Sequence, residues 1–171
     1  MTKTERKPYI FLDFDGVLNS FEEGSYMTNS SETYGPSKKI CSLIKNLCDR
    51  TGAKIIITSN WRKFEENGSY SFNGNKVFNP LRKVKELLGD YIIGTLPPLR
   101  HVLKSEALII WIEENDFDYN NEKWVVLDDD SREGFGSTYD CKIRDHYIQT
   151  DAEFGITEDI IKEIDRRFSA V

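Results

Sequence analysis

The chain has 171 residues, a formal net charge of −6 at pH 7, 39% hydrophobic residues and 30% charged residues. This length and composition are typical of one globular domain with a real hydrophobic core. The excess of acidic residues argues against broad non-specific binding of nucleic acids, which depends on a basic surface. We therefore expect a single domain over 1–171, and the net charge does not exclude a local basic site.

The amino-terminal residues and the cysteines favour a cytoplasmic protein with no membrane partner. Residues 1–8 are polar, and no apolar run in the chain approaches the length of a membrane span or of a signal-peptide core. Cys41, Cys48 and Cys141 lack the spacing of a disulfide framework or a zinc site. Cys41 and Cys48 lie within a helical pattern, so we predict that they share one buried helix face.

The predicted elements alternate between strand and helix along the whole chain. Apolar runs predict strands, and apolar residues at helical spacing predict helices. The expected order is strand 9–12, loop or small lid 20–35, helix 37–50, strand 54–58, hairpin 70–78, helix 79–89, strand 91–94, helix 103–115, strand 123–127, short strand 147–148 and helix 157–168. This alternation predicts a three-layer α/β/α sandwich with a mainly parallel sheet.

Local signals mark several ends of these elements. Ser37 and Thr157 are predicted to cap helices at their starts, and Gly52 is a plausible helix stop. Asn79 followed by Pro80 is a predicted N-cap and first-turn proline. The dipeptide Asn73-Gly74 predicts the turn of the hairpin, because both residues tolerate a positive φ.

The first strand ends in Asp13, Asp15 and Gly16 after a fully apolar run. Carboxylates are almost never buried without a partner, so two of them here need a cation, a proton or several hydrogen-bond donors. Ligands of open α/β sheets bind at the carboxyl ends of the strands. The opening strand therefore predicts a reactive site.

Three further polar clusters follow predicted strands or open a helix, and a parallel sheet would bring them to the same edge. Together they supply what phosphoryl transfer needs: a carboxylate nucleophile, a second acid, oxygen ligands for a divalent cation, a hydroxyl and an ammonium group. Gly16 would let backbone N–H groups approach a phosphate. The clusters are Thr58-Ser59-Asn60, Lys104 and Asp128-Asp129-Asp130.

The order of these motifs resembles that of phosphatases of the haloacid dehalogenase (HAD) superfamily. Their signature is Asp-x-Asp-Gly-Val, a strand ending in Thr or Ser, a Lys, and a strand ending in Asp-Asp. The resemblance implies a Rossmann-like fold, Asp13 as nucleophile and Asp15 as general acid/base. It also implies that Thr58 or Ser59 binds phosphate together with Lys104.

The same resemblance implies a Mg²⁺ cofactor. Its ligands would be Asp13, the backbone carbonyl of Asp15 and one acid of the triplet 128–130. Asp129 is the preferred third ligand, with Asp128 next, and the triplet leaves this choice open.

A narrower resemblance is to the HAD domains of Swiss-army-knife RNA-repair proteins. It implies a phosphorylated substrate, with a nucleotide or the end of an RNA or DNA strand as the candidate. Asn60 and Arg62 join Gly16 as candidate phosphate or substrate ligands. The segments 20–35 and 63–78 are short, which predicts a minimal cap and a site open to bulky substrates. The motifs of this resemblance are Asp13 to Asn19, Thr58 to Arg62, Trp111-Ile112, Ile148 to Asp151 and Gly155 to Thr157.

Other functions remain as alternatives. A phosphatase of small metabolites such as sugar phosphates would use the same motifs. Receiver-like phosphoacceptor domains also combine acids, Thr or Ser, and Lys, but there the acid pair precedes a lone Asp. Dehalogenases do not require the second acid, Asp15, and mutases normally carry a large cap. A silent binding module is disfavoured because every motif residue is present.

Overall fold

The computed structural model describes residues 7–26, 34–72, 75–136 and 141–170. Short 3-10 helices span Asn60–Lys63 and Ser131–Glu133. The other elements, in chain order, are β1 (Tyr9–Leu12), α1 (Lys38–Thr51), β2 (Lys54–Ile57), β3 (Ser69–Phe72), β4 (Asn75–Phe78), α2 (Leu81–Leu88), β5 (Ile92–Thr95), α3 (Lys104–Glu114), β6 (Trp124–Asp128), α4 (Cys141–His146), β7 (Tyr147–Gln149) and α5 (Glu158–Ser169).

The main sheet has the strand order β5-β2-β1-β6-β7, and every neighbouring pair in it is parallel. Because parallel neighbours need crossover connections, helices cover both faces of the sheet. The order changes direction at β1, which pairs with β2 on one side and β6 on the other. The predicted α/β sandwich with a Rossmann-like parallel sheet is confirmed.

Alternating side chains of the strands pack into two separate apolar cores, one on each face of the sheet. Ile10 and Leu12 of β1 pack with residues of α1, α2 and α5 on one face. Phe11, between them, packs on the other face with Trp124 of β6 and residues of α3 and α4. This alternation follows from the period of two along a strand, and it builds the three layers. Cys41 and Cys48 are both buried in the first core, as predicted; the side chain of Cys141 lies outside the described residues.

Most predicted helix boundaries agree with the structure. Ser37 accepts a hydrogen bond from the N–H of Ile40 at 3.3 Å, and Gly52 ends α1 with φ +70°. Thr157 caps α5. The start of α2 differs, because Pro80 occupies the N-cap position. Asn79 still accepts a hydrogen bond from the N–H of Leu81 at 3.0 Å, so it satisfies the helix start from one residue earlier.

The structure describes the two predicted lid segments to different extents. Segment 63–78 contains the antiparallel pair β3–β4, as the hairpin prediction required, although its turn at 73–74 lies outside the described residues. Segment 20–35 is described only at 20–26 and 34–35. Helix α4 was not predicted. Among the described helices, none is long and apolar enough to cross a membrane.

Candidate active site

The carboxyl edge of the three central strands brings Asp13, Thr58 and Asp128 side by side. The N–H of Asp13 donates to the carbonyl of Leu127 at 3.0 Å, and the N–H of Thr58 donates to the carbonyl of Leu12 at 2.9 Å. Asp13, Thr58 and Asp128 are all buried. The sheet register therefore places two carboxylates and one hydroxyl at the point where the strand order reverses.

Lys104, the first residue of α3, reaches into this group. Its Nζ lies 2.7 Å from Oδ2 of Asp13 and 2.8 Å from Oδ2 of Asp128, and the residue is only 3% exposed. Burial alone would lower the pKa of Lys104, but the charges of Asp13 and Asp128 outweigh it and raise the pKa. Lys104 thus stays an ammonium ion shared by two buried carboxylates.

A third carboxylate makes this cluster a candidate metal site. Oxygen atoms of Asp13, Asp128 and Asp129 all lie within 4.8 Å of one another. Burial, followed by the charge of Asp13, raises the pKa of Asp128 to about 8 and that of Asp129 to about 6. A single ammonium faces three acids, so the charged forms of Asp128 and Asp129 are disfavoured, and a bound cation would favour them again. A hard oxygen donor set of this kind fits Mg²⁺.

The structure separates the three acids that the sequence left open. Asp130 turns away from the cluster and accepts hydrogen bonds from Nε and Nη2 of Arg132, both at 2.8 Å. These bonds lower the pKa of Asp130. Asp128 and Asp129 remain as the candidate ligands of the triplet. The backbone carbonyl of Asp15 stays a predicted ligand.

Asp15 lies in a different environment from Asp13. Its Oδ1 accepts from the Tyr34 hydroxyl at 2.7 Å and from Nδ2 of Asn19 at 3.2 Å, and its Oδ2 accepts from Nε1 of Trp61 at 2.9 Å. Burial and the nearby charge of Asp13 raise the pKa of Asp15, although the three donors act against this shift. A carboxyl group with a raised pKa suits a residue that gives and takes a proton near neutrality.

The hydroxyls of Thr58 and Ser59 have different partners. Oγ1 of Thr58 is buried and has no hydrogen-bond partner among the described residues. Oγ of Ser59 accepts from the N–H of Trp61 at 3.3 Å and caps the 3-10 helix. A buried hydroxyl without a partner is costly, and a bound oxyanion would satisfy it. The geometry therefore favours Thr58 as the phosphate ligand.

Asn60 is linked to Lys104 through Glu133, a residue that the sequence did not indicate. Its Nδ2 donates to Oε1 of Glu133 at 2.8 Å, and Oε2 of Glu133 accepts from the backbone N–H of Lys104 at 3.1 Å. Glu133 thus links the end of β2 to the start of α3. A direct phosphate contact of Asn60 stays a prediction.

Arg62 makes contacts that differ from its predicted role. Its guanidinium donates to the backbone carbonyls of Thr58, Ser59, Leu96 and Pro97. These bonds join the chain after β2 to the chain after β5. They favour a role in positioning the site, and a phosphate contact of Arg62 would require some of them to be exchanged.

The backbone geometry at position 16 requires a glycine. Its φ is +65°, and a Cβ built there would lie 2.3 Å from Oδ2 of Asp129. Its N–H donates to Oδ1 of Asn19 at 2.8 Å, and its carbonyl accepts from Oγ1 of Thr150 at 2.7 Å. Phosphate binding by this N–H stays a prediction, whereas its close approach to Asp129 explains the glycine directly.

Sequence reasoning did not connect any other side chain with Asp15; Tyr34 was considered only as a lid residue that either stacks on a base or packs within its loop. Asn19 and Trp61 stand inside the quoted motifs, so their position near the acids was visible, but their contacts were not. Tyr34 stands 19 positions after Asp15, and no local pattern connects the two. Three buried or half-buried donors on one carboxyl group depend on side-chain directions that only the folded chain defines.

One family comparison bears on this site. The model of the HAD domain in Swiss Army Knife RNA repair proteins matches residues 9–161. The chain belongs to this family. The match spans every motif of the HAD resemblance, from Asp13 to the region of Thr157, and it supports a HAD-type hydrolase. No curated protein and no solved structure matches the chain.

Proposed function

We propose that this HAD domain is a Mg²⁺-dependent phosphomonoesterase that forms an aspartyl phosphate on Asp13. The observation that carries the proposal is the difference between the environments of Asp13 and Asp15, which are separated by a single residue. Asp13 is paired with the Lys104 ammonium, whereas Asp15 is surrounded by neutral donors and has a raised pKa. Environments that separate a pair of acids in this way assign them different chemical roles.

In the first step, a carboxylate oxygen of Asp13 attacks phosphorus while the bond from phosphorus to the leaving oxygen breaks. Asp15 donates its proton to that leaving oxygen, so the product departs as a neutral alcohol. The Thr58 hydroxyl donates to a phosphoryl oxygen, and the Lys104 ammonium lies close enough to offset its charge. The buried Thr58 hydroxyl, which has no hydrogen-bond partner in the described part of the chain, supports this role.

In the second step, Asp15 takes a proton from a water molecule, whose oxygen attacks phosphorus. The bond from phosphorus to Asp13 breaks, inorganic phosphate leaves, and both acids regain their starting states. Mg²⁺ would be held by Asp13, Asp128 and Asp129, where it would offset the negative charge of the carboxylates and the phosphate.

For the substrate, we propose a nucleotide or the phosphorylated end of an RNA or DNA strand. The family description names RNA repair proteins. A cluster of rings also begins at Trp61, whose indole contacts Asp15: Phe64 and Tyr70 lie with ring centroids 5.9 Å and 6.0 Å from it. Phe64 is half exposed. The exposed ring of Phe64 is therefore suited to stacking on a base, while Trp61 contacts Asp15.

The test is release of inorganic phosphate from an aryl phosphate, nucleotides, 5′- and 3′-phosphorylated oligonucleotides and sugar phosphates, each with Mg²⁺ and with a chelator. We expect hydrolysis that depends on Mg²⁺. We expect Asp13→Asn to reduce it by at least about 10⁴-fold, because the nucleophile is lost while binding remains. Acid-quenched wild-type protein should carry a phosphoryl group on Asp13 by peptide mass spectrometry.

The matched control is Asp116→Asn. Asp116 is an exposed carboxylate outside the site, so this variant should retain full activity. Full activity of Asp13→Asn would refute the mechanism. A strong preference for sugar phosphates over every nucleotide and oligonucleotide would leave the mechanism intact and refute the proposed substrate class.

A further inference from the structure

We propose that Tyr34 and Trp61 are positioning residues that hold Asp15 for proton transfer to the leaving group. They would thereby set how strongly catalysis depends on the leaving group. The inference rests on the proposed function, because it requires Asp15 to act as general acid. Neither residue is placed in contact with phosphorus or metal.

The hydrogen bonds to Asp15 distinguish its two oxygens. A carboxylate oxygen has two lone-pair positions. On Oδ1 both are used, by the Tyr34 hydroxyl at 2.7 Å and by Nδ2 of Asn19 at 3.2 Å. On Oδ2, the described residues use one, through Nε1 of Trp61 at 2.9 Å. Oδ2 therefore retains the position that carries the transferred proton, and the other three positions orient it.

The two donors are themselves held firmly. Tyr34 is only 4% exposed, and its ring packs edge-on against Phe14 with centroids 5.6 Å apart. The ring of Trp61 contacts the rings of Tyr34 and Tyr70, with centroids 6.0 Å apart in each pair. Donors whose rotamers are fixed by packing restrict the carboxyl group to one orientation, and proton transfer requires this geometry.

The consequence is a selective effect on catalysis. An alkyl phosphate needs a proton on its leaving oxygen, whereas p-nitrophenyl phosphate releases a stabilised anion that needs little help. The kcat/KM value reports the steps up to departure of the leaving group. Loosening Asp15 should therefore lower kcat/KM for alkyl phosphates and leave that for p-nitrophenyl phosphate nearly unchanged.

The experiment compares Tyr34→Phe and Trp61→Phe with wild type on a nucleoside 5′-phosphate and on p-nitrophenyl phosphate. Each variant keeps a ring and removes a donor. General acid catalysis contributes about 10²–10⁴-fold, and we expect each variant to lose about 10-fold or more on the nucleoside phosphate. On p-nitrophenyl phosphate we expect a loss of less than about 3-fold, as the proton contributes little there.

Matched controls remove similar groups elsewhere. Tyr91→Phe deletes a hydroxyl that donates to Asp49 on the exposed surface. Trp111→Phe shortens a half-buried indole on the opposite face of the sheet. Both should keep the wild-type ratio of the two kcat/KM values.

A double-mutant cycle tests whether the effect passes through Asp15. In an Asp15→Asn background, Tyr34→Phe and Trp61→Phe should cause no further loss on the nucleoside phosphate, because the group they position no longer donates a proton. Should Tyr34→Phe fail to fold by circular dichroism, the Trp61→Phe arm carries the same comparison.

Equal losses on both substrates, or no loss on either, would overturn the positioning role. Full additivity with Asp15→Asn would overturn it as well. Failure of the wild-type protein to hydrolyse either substrate would instead count against the proposed function, so the two failures are distinguishable.

Discussion

The two halves of the candidate site differ in their burial and in the kinds of side chain that they contain. The sheet-edge half consists of Asp13, Thr58, Lys104, Asp128 and Asp129. All of these residues are buried except Asp129, which is half-buried, and Lys104 forms ion pairs with Asp13 and Asp128. The loop half surrounds one partly exposed carboxyl group with neutral donors: Asp15, Asn19, Tyr34 and Trp61. The difference shows that the cluster of charged groups depends on strand register, whereas the hydrogen bonds of Asp15 depend on loops that converge on it.

If this comparison holds, the largest loss of stability comes from removing the only cation that the described sheet-edge half contains. Lys104→Met leaves Asp13 and Asp128 buried without an opposite charge. Breaking a buried pair costs about 3–5 kcal/mol, so we expect a loss of this size in the free energy of unfolding without Mg²⁺. Activity should fall by roughly 10²–10³-fold, as on removal of a transition-state donor.

The control is Lys85→Met, which breaks the surface pair of Lys85 with Glu66, where both side chains are nearly half exposed. Such pairs contribute at most about 1 kcal/mol. A chemical denaturation curve for each variant gives the comparison. If both variants lost the same amount, the sheet-edge half would not depend on its buried charges.

The second effect tests the candidate metal ligands of the sheet-edge half. Mg²⁺ that binds only the folded protein should stabilise it by about 2.7 kcal/mol at a concentration 100 times its Kd. Asp129→Asn removes one of the three clustered carboxylates, and we expect most of this stabilisation to disappear. The measurement is the thermal shift on addition of Mg²⁺.

Asp130→Asn is the neighbouring control, since Asp130 pairs with Arg132 and lies outside the cluster. This variant should retain the full thermal shift on addition of Mg²⁺. The reverse outcome, with the shift lost in Asp130→Asn and kept in Asp129→Asn, would contradict the ligand assignment.

The third effect separates function from stability inside the sheet-edge half. Thr58→Val removes a buried hydroxyl that has no described partner. We expect activity to fall by about 10²-fold, because a phosphoryl donor is lost. The free energy of unfolding should stay unchanged or rise by up to about 1 kcal/mol, because an unsatisfied polar group disappears.

Ser59→Ala provides the contrast, because it deletes the cap of the 3-10 helix. It should lower stability by about 1 kcal/mol and affect activity less. Steady-state kinetics and unfolding curves on both variants decide between the two hydroxyls. Greater loss of activity in Ser59→Ala would assign the phosphate contact to Ser59.

The smallest effect concerns the link between strand end and helix start. In Glu133→Gln, one amide hydrogen must face either Nδ2 of Asn60 or the N–H of Lys104. We expect a loss of about 1 kcal/mol in stability, the scale of one hydrogen bond, and about a tenfold drop in kcat/KM.

Glu106→Gln is the control, because Glu106 also accepts a backbone N–H at the start of α3, from Leu103 at 2.9 Å, but on the exposed side. It should leave kcat/KM near the wild-type value. An equal drop in both variants would show that Glu133 acts only as part of the helix end.

Much of the fold was predictable because its signals are local. The strand of residues 54–57 is short, apolar and β-branched, and α1 has apolar residues at helical spacing between a serine cap and Gly52. Helix α4 escaped prediction: it covers only 141–146 and runs directly into β7, so it shows less than two turns of periodicity. Short elements depend on tertiary packing more than on their own pattern.

The amino-acid sequence by itself determined the order of the motifs, the parallel sheet and the gathering of acids, hydroxyls and lysine at its carboxyl edge. These follow from the period of the apolar residues and from the right-handed crossover between parallel strands. Only the tertiary structure left the Thr58 hydroxyl without a described partner while Ser59 caps a 3-10 helix, paired Asp130 with Arg132 outside the carboxylate cluster, and brought Tyr34 and Trp61 to Asp15. Each of these depends on the direction of a side chain, which distant segments impose after the chain has folded.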